Sequence, residues 1–463
     1  MNSRTALVTR LAVGAVAAVV VGGGVIAAAA APWPTFAREP MSLDVVPEAA
    51  RSIAACDGPL LALGRDATAA GAITAAAPSS VVSATDGAES TEYTLATPDR
   101  TGDGASPEAF SAEPTDGVPT DLGAASSASL DDPDLRGLAV SACTRPAMES
   151  WLVGGSAATG ASDLVLLTNP GDVAATVDLR VFGADGAQDP VAGRDIVVAA
   201  RSQRAIPLAA LRRGEQSPVV QVTAQGAPVR ASLQSALTRT LIAGGVDQVG
   251  ASALPATQQT IPAVNVTVAP DSVASAGGLS VRLMATAADT SANVTVRSVA
   301  DGSVVSQQDA IAVTAGRPVE LEVTGMPVGD YTVTATASDP LVAAAWTSTD
   351  QAAPADFAWA VAAPLVDAPT LVAVASGPAP SLTLTADQDT VATLTPVAGG
   401  TPQTVQLAAG QSGTIDVAAG TVYRLDPGTG GIRGSVGFSA AGQLGTYPVT
   451  GSAAAAAELT VYP

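Results

Sequence analysis

From about residue 150 onward one series of short apolar segments is written three times in the same order, and few folds are open to a chain so patterned. The first copy is the most legible. Asp163-Leu-Val-Leu-Leu-Thr-Asn-Pro-Gly-Asp172 is an apolar run ending in turn residues, and the segment after it alternates, with Val177, Leu179 and Val181 on one face. Successive side chains of a strand point to opposite faces, so this alternation beyond Asn169-Pro170-Gly171 marks a hairpin in a half-buried sheet. Opening strands recur at 151–155, 264–269 and 371–377, and a turn leading into a strand recurs at 199–208, 315–323 and 409–417. Two late strands recur within 219–233, 331–346 and 422–438, and each copy closes at a proline: Pro262, Pro364 and Pro463. About seven short strands in roughly 100 residues is the pattern of an Ig-like or fibronectin-like β-sandwich. The chain is therefore expected to be all-β, with tandem sandwich modules at 150–262, 263–367 and 368–463. A propeller or a fused β-solenoid is the competing arrangement of the same strands.

The N-terminus carries a different signal. Residues 11–31 hold no charge and follow Arg4 and Arg10. A helix of that length spans a hydrocarbon core of roughly 30 Å, and arginines on its N-terminal side place that end in the cytoplasm. Residues 1–35 are therefore read as a cytoplasmic stub and transmembrane anchor, with the bulk of the chain outside. The uncharged run is longer than the core of a signal peptide, and Trp33 stands where an interfacial aromatic would, which favours an uncleaved anchor. Cleavage among Ala27 to Ala31, giving a secreted protein, is the alternative.

Residues 36–149 begin as short strands and then change composition. Between Asp86 and Asp134 there are twelve acids and one base, Arg100. The tract from about 68 to 134 has almost no large apolar side chain, so burial is not expected to offset its ordering entropy, and it is read as a disordered acidic insert. Cys56 and Cys143, the two cysteines, bracket it. In an exported chain an even pair placed this way is read as a disulfide, with two buried thiols as the alternative. Asp99-Arg-Thr-Gly-Asp103-Gly104 and Asp131-Asp-Pro-Asp134 do not have the spacing of a calcium loop.

Residue types narrow the chemistry. The chain has no histidine, and all 21 of its basic residues are arginine. That removes Ser-His-Asp and Cys-His catalysis, His-containing zinc sites, Schiff-base lysines and the P-loop lysine. A net charge of -21 repels nucleic acid and anionic lipid. Two carboxylate pairs, Asp185 with Asp189 and Glu320 with Glu322, are the candidates for glycoside hydrolysis, and both are read as solvated. Trp151, Trp346 and Trp359 fall in predicted strands and are assigned to packing rather than to a sugar platform. The sequons at Asn265 and Asn293 lie inside strands and are read as chance. No catalytic, cofactor-binding or metal-binding residue is assigned, and no cofactor is expected.

Cys143, the run Glu149-Ser-Trp-Leu-Val-Gly-Gly155, the segment Leu164-Val-Leu-Leu-Thr-Asn-Pro-Gly171 and the strand Thr176-Val-Asp-Leu-Arg-Val-Phe-Gly183 together resemble an actinobacterial envelope family, DUF5719, over roughly residues 40–463. The resemblance implies a single-pass or secreted protein with no assigned activity, so no functional residue is carried over from it. The expected function is a non-enzymatic, membrane-anchored extracytoplasmic scaffold or interaction protein of the cell envelope. Its expected partners are an envelope protein or cell-wall glycan, and the membrane through residues 11–31. A glycan-binding module array and a carboxylate-based hydrolase are the alternatives.

Overall fold

The computed structural model describes residues 3–30, 43–45, 49–65, 69, 71–239, 241–268, 278–349, 355–452 and 459–461. These form two units. The smaller contains the helix Ser3–Ala30 and a two-stranded antiparallel ladder of Leu43–Val45 with Leu459–Val461. Within the helix, Leu7–Ala29 has a mean hydropathy of 2.4 over 23 residues, about 34 Å at 1.5 Å per residue, which is long enough to cross a bilayer. Of the alanines offered for cleavage, Ala27 to Ala30 lie in this helix, while Ala31 and Trp33 lie outside the described residues.

The larger unit, 48–456, is built of β-sandwiches. The alternation at Val177, Leu179 and Val181 buries all three side chains, and the apolar run Leu164–Asn169 is buried on both faces. One sheet of this module orders its strands Glu149–Val153, Val219–Gln225, Ala175–Gly183 and Gly186–Gln188; the other orders Ser202–Pro207, Leu164–Asn169, Arg230–Arg239 and Ile242–Gly250. Numbered along the chain, with the short Ile196–Val198 beside Ala175–Gly183 counted together with the fourth strand, the orders are 1-6-3-4 and 5-2-7-8. The module at Thr370–Pro448 repeats both orders. The middle module repeats them with the sixth and seventh strands fused into one 20-residue strand, Gly329–Ser348, whose two halves belong to the two sheets. An Ig domain puts its first strand beside its second and its last beside its sixth. Here the first strand takes that last place, the seventh takes the first place, and an eighth is added at the edge.

Two boundaries differ from the sequence reading. Gln259 to Pro262 does not close the first module; it is part of Ala256–Val266, which opens the second by pairing with Gly329–Ser348. The strand passes through Pro262 because the register shifts between Ile261 and Val264, with Ala263 at φ 55°, and a bulge is where a strand tolerates a proline. Leu459–Val461 likewise belongs to the smaller unit and not to the last sandwich.

The larger correction concerns residues 68–134, which fold. Apart from 66–68 and 70, which lie outside the described residues, the tract forms the strands Ile73–Ala77, Ser80–Asp86, Ser90–Thr94, Glu108–Ala112 and Asp121–Asp131. With Ser52–Ala55, Leu60–Leu63 and Arg136–Cys143 they make a fourth, divergent module of small sheets of three, two and three strands. The composition argument required the tract to supply its own core. Instead Leu95 and Phe110 are buried with small residues such as Ala109, Ala124, Ala125 and Ala128, and strand Asp121–Asp131 packs against Thr370–Val374 of the last module. Much of its core is thus supplied by neighbours.

The four modules close into a ring. The eighth strand of each, at the edge of its sheet, is innermost: Arg136–Cys143, Ile242–Gly250, Phe357–Val361 and Gln443–Pro448. Each lies against the next, and the fourth lies against the first. The ring thus combines sandwich modules with the radial repetition of a propeller. Buried polar groups join the modules. Arg230 forms an ion pair with Asp57 (Nη2 to Oδ2, 2.9 Å), and the amide of Gln234 exchanges two hydrogen bonds with the backbone of Leu61. Arg282 reaches the carbonyls of Gly155 (2.9 Å) and Pro218 (3.0 Å) while lying 4.5 Å over the ring of Trp359.

Cys56 and Cys143 form a disulfide across 87 positions, joining the end of the N-terminal module's first strand to the end of its inner strand. A cross-link closing a loop of this length stabilises by about 4 to 5 kcal/mol in the chain-entropy model. The double variant Cys56→Ala/Cys143→Ala is expected to lose about that much unfolding free energy, measured by denaturant titration of the full chain in detergent; an unchanged midpoint refutes it.

Candidate functional site

The residues singled out in the sequence do not gather into one site. Trp151 and Trp359 are buried, and Trp346 is half-buried against the same core. Trp151 stacks on Phe182 at 5.7 Å and donates to Glu149 Oε1 at 2.9 Å. None of the three presents an aromatic face as a sugar platform. Asp189 is held by Arg180 at 2.7 Å, while Asp185 is exposed and 3.6 Å from Arg212. Glu320 accepts from Arg282 (3.1 Å) and Ser280 (2.8 Å), and Glu322 is exposed on its strand. The sequon asparagines are engaged: Asn265 donates to Asp330, and Asn293 accepts from Ala310 N at 2.9 Å. Asn169 is buried and locks its own turn, donating to the carbonyls of Val173 (2.8 Å) and Val198 (3.0 Å) and accepting from Gly171 N (3.0 Å). Among the described residues no group of three or more His, Cys, Asp or Glu is placed to hold a metal ion.

What the fold does bring together is the axis of the ring. Asp356 stands at the start of the third inner strand and is fully buried. Its Oδ2 accepts from Leu138 N (2.9 Å) on the first inner strand and Leu444 N (3.1 Å) on the fourth, and its Oδ1 accepts from Val246 N (3.4 Å) on the second. One carboxylate thus binds the backbone of all three other inner strands. Room for it comes from the corresponding positions. A Cβ at Gly137 would run into Oδ1 of Asp356, and Gly137 has φ +137°; a Cβ at Gly245, at φ +123°, would meet the ring of Phe357. Burial pushes the Asp356 carboxyl from its ordinary 3.8 to about 7, against the backbone donors that pull it down. One position further along the second strand, Asp247 is also fully buried and accepts from Trp359 N at 2.8 Å. Burial, with the charges of Asp356 and Asp57, raises its carboxyl well above the ordinary value, and its Oδ1 has no hydrogen-bond partner.

The sequence offered a partial sign of this axis: an acid opening the apolar strand Asp356-Phe-Ala-Trp-Ala-Val361, and glycines at Gly137 and Gly244-Gly245 in the matching places. These carboxylates are sealed from solvent, so they do not meet a substrate. Solvent reaches the other end of the axis, where the inner strands exit. There a pocket of about 510 Å³ is lined by Thr144 and Arg145 beyond the first, Gly250 and Leu254 at the second, Pro364 beyond the third, and Pro448 and Thr450 at the fourth. Its wall also carries the side chains of Glu149, Ser150 and Ser252.

A family profile described as a family of unknown function, DUF5719, matches residues 96–427, well over half of the chain. The chain belongs to this family. The match opens inside the acidic tract, in agreement with that tract's being part of the fold. No curated protein matches the chain. Among solved structures, the crystal structure of chicken CNTN1 FN1-FN3 domains is similar at 12% identity, covering 69% of this chain and 99% of that one. Its TM-score of 0.10 carries no argument about fold or function.

Two expectations follow from the axis. Between about pH 4 and 7 the folded chain retains a proton on Asp356 that the unfolded chain has released, so its stability is expected to fall as pH rises through that window and to level off above it. Asp163, raised to about 6 by burial, adds to the same slope. Asp356→Asn is expected to flatten the slope and, by placing an amide NH₂ against backbone donors, to cost about 1 to 3 kcal/mol at low pH. Unfolding midpoints at pH 4 to 8 check both, and a wild-type slope of the opposite sign contradicts the assignment. Gly137→Ala, which combines a clash with an unfavourable φ, is expected to cost more than about 2 kcal/mol on the same measurement, whereas Gly442→Ala, with open space, costs less despite its φ of +75°.

Proposed function

We propose that this family member is a non-enzymatic binding scaffold, anchored in the cell membrane by the helix Ser3–Ala30, with the ring on the extracytoplasmic side. The observation that carries the reading is the pocket at the ring's mouth, built jointly by the exits of four modules, above carboxylates sealed away from any substrate. A surface assembled from four separate loops and held by a closed ring suits recognition, because little has to be ordered on binding. The Cys56–Cys143 disulfide supports an oxidising compartment. The apolar helix, with Arg10 near its start, supports an anchor with its N-terminus inside. The buried tryptophans give the glycan-platform alternative no support.

Carbonate-washed membranes from cells making the full chain are expected to retain it, and the denatured protein to show no alkylatable thiol until reductant is added. Recovery in the soluble cytoplasm with two free thiols overturns the proposal.

A further inference from the structure

Arg145 follows the innermost strand Arg136–Cys143 and stands exposed at the ring's mouth. Its Nη2 donates to the carbonyls of Gly451 (3.3 Å) and Ser452 (3.1 Å), which fixes where the side chain lies. Among the described residues its Nε and Nη1 make no hydrogen bond and it has no ion-pair partner. Asp121 feels its charge, but the oxygens of Asp121 accept from Leu371 N (2.8 Å) and Leu122 N (3.0 Å). A guanidinium held at one nitrogen with a free edge is a fork for a carboxylate or phosphate.

The surroundings give that fork a ligand-sized site. Arg145 lines both the pocket of about 510 Å³ and a narrow cleft of about 50 Å³ that leads from it between the N-terminal and last modules. The larger volume lies within the range of about 300 to 1,000 Å³ common to small-ligand sites, and Pro146, Leu254, Pro364 and Pro448 give it apolar walls. Leu254 is 60% exposed and so offers apolar surface to a ligand in the pocket. In the narrow cleft the hydroxyl of Ser52, a residue 6% exposed, is buried with no hydrogen-bond partner. A buried polar group left unpaired is costly, and a turn of the Ser52 side chain toward the cleft would let a ligand oxygen satisfy it.

We propose that the mouth of the ring binds an oxyanion carried on an apolar body. Arg145 grips the carboxylate or phosphate, Ser52 donates from the cleft, and the apolar part lies on Leu254 and the prolines. This deepens the scaffold proposal by naming the ligand class, and it rests on reading the ring as a binding device.

The test is calorimetric titration of the full chain in detergent with three probes: N-acetyl-trialanine, its C-terminal amide and octyl phosphate. One or both anions are expected to bind and the amide not to. A carboxylate preference assigns the site to a peptide end, and a phosphate preference to a phosphorylated amphiphile. Arg145→Gln is expected to weaken the bound anion about 10-fold or more at an unchanged unfolding midpoint. Leu254→Asp, on an exposed wall, reports independently should the first variant misfold, and is expected to abolish binding. No binding of either anion up to about 10 mM, equal binding of the amide, or full affinity in both variants overturns the site while leaving the scaffold proposal standing. Hydrolysis of a recovered probe sinks the non-enzymatic reading but not the site.

Discussion

Four sheet edges meet at one buried carboxylate, and the closed ring depends on that meeting. The innermost strand of every module is an edge strand, so it carries outward backbone N–H groups without a ladder partner. Water would satisfy them on a surface. At the axis the four strands lie against one another, and an unsatisfied buried donor costs about 1 to 3 kcal/mol. A carboxylate offers several acceptor sites and, when ionised, no donor, which lets Asp356 take one N–H from each of the three strands opposite it. An asparagine of the same shape presents an NH₂ where an acceptor is required. The burial that makes the contact necessary also lifts the carboxyl to about 7. Ring closure and partial protonation of its centre therefore have one cause.

The repeated modules are unequal at the centre for the same reason. Only one side chain fits on the axis at that level, and Asp356 occupies it. Gly137 and Gly245 stand at corresponding places on two other inner strands, where a Cβ would strike Asp356 or Phe357. One level further along, Asp247 of the second strand accepts from Trp359 N of the third, so the same device recurs with fewer partners. Closure also explains the acidic tract. Three modules leave the ring open, and the segment that closes it need not be apolar enough to fold alone, since neighbours on both sides cover it. Its acids are largely left to solvent or paired with arginines, as Asp132 and Asp134 are with Arg65 and Asp86 is with Arg424.

What was legible in the sequence was local. The period-two alternation at Val177, Leu179 and Val181, the turn at Asn169-Pro170-Gly171 and the recurrence of strands in one order gave the sandwiches, because those signals are set by neighbours along the chain. The apolar helix was legible from length and charge alone, and the disulfide from two cysteines flanking one tract. The strand exchange that puts the first strand beside the sixth was not legible, since period and turn chemistry are the same in either order. Nor was the ring: contacts between modules leave no periodicity, and Asp356 looks like any acid at the head of a strand. The misreading of residues 68–134 has a definite source. A segment's hydrophobicity speaks only for a core it builds itself, whereas Ala125 is buried among residues of the last module and Ala128 against Ala236 and Val246 of the next one.

The two ends of the axis are joined by the same strands. The strands gathered by Asp356, at Leu138, Val246 and Leu444, are the strands whose ends form the pocket, and Phe357–Val361, which follows Asp356, is five residues long. Arg145 lies one residue beyond Thr144, whose backbone is paired with Ala55 and whose hydroxyl accepts from Arg230 at 3.1 Å. Arg230 is in turn fixed to Asp57. The exposed cation at the mouth is thus positioned by a buried ion pair at the joint between two modules, and by the disulfide partner Cys143 two residues before it. The placement of Arg145 at the mouth is supplied by the same buried polar contacts that hold the modules together.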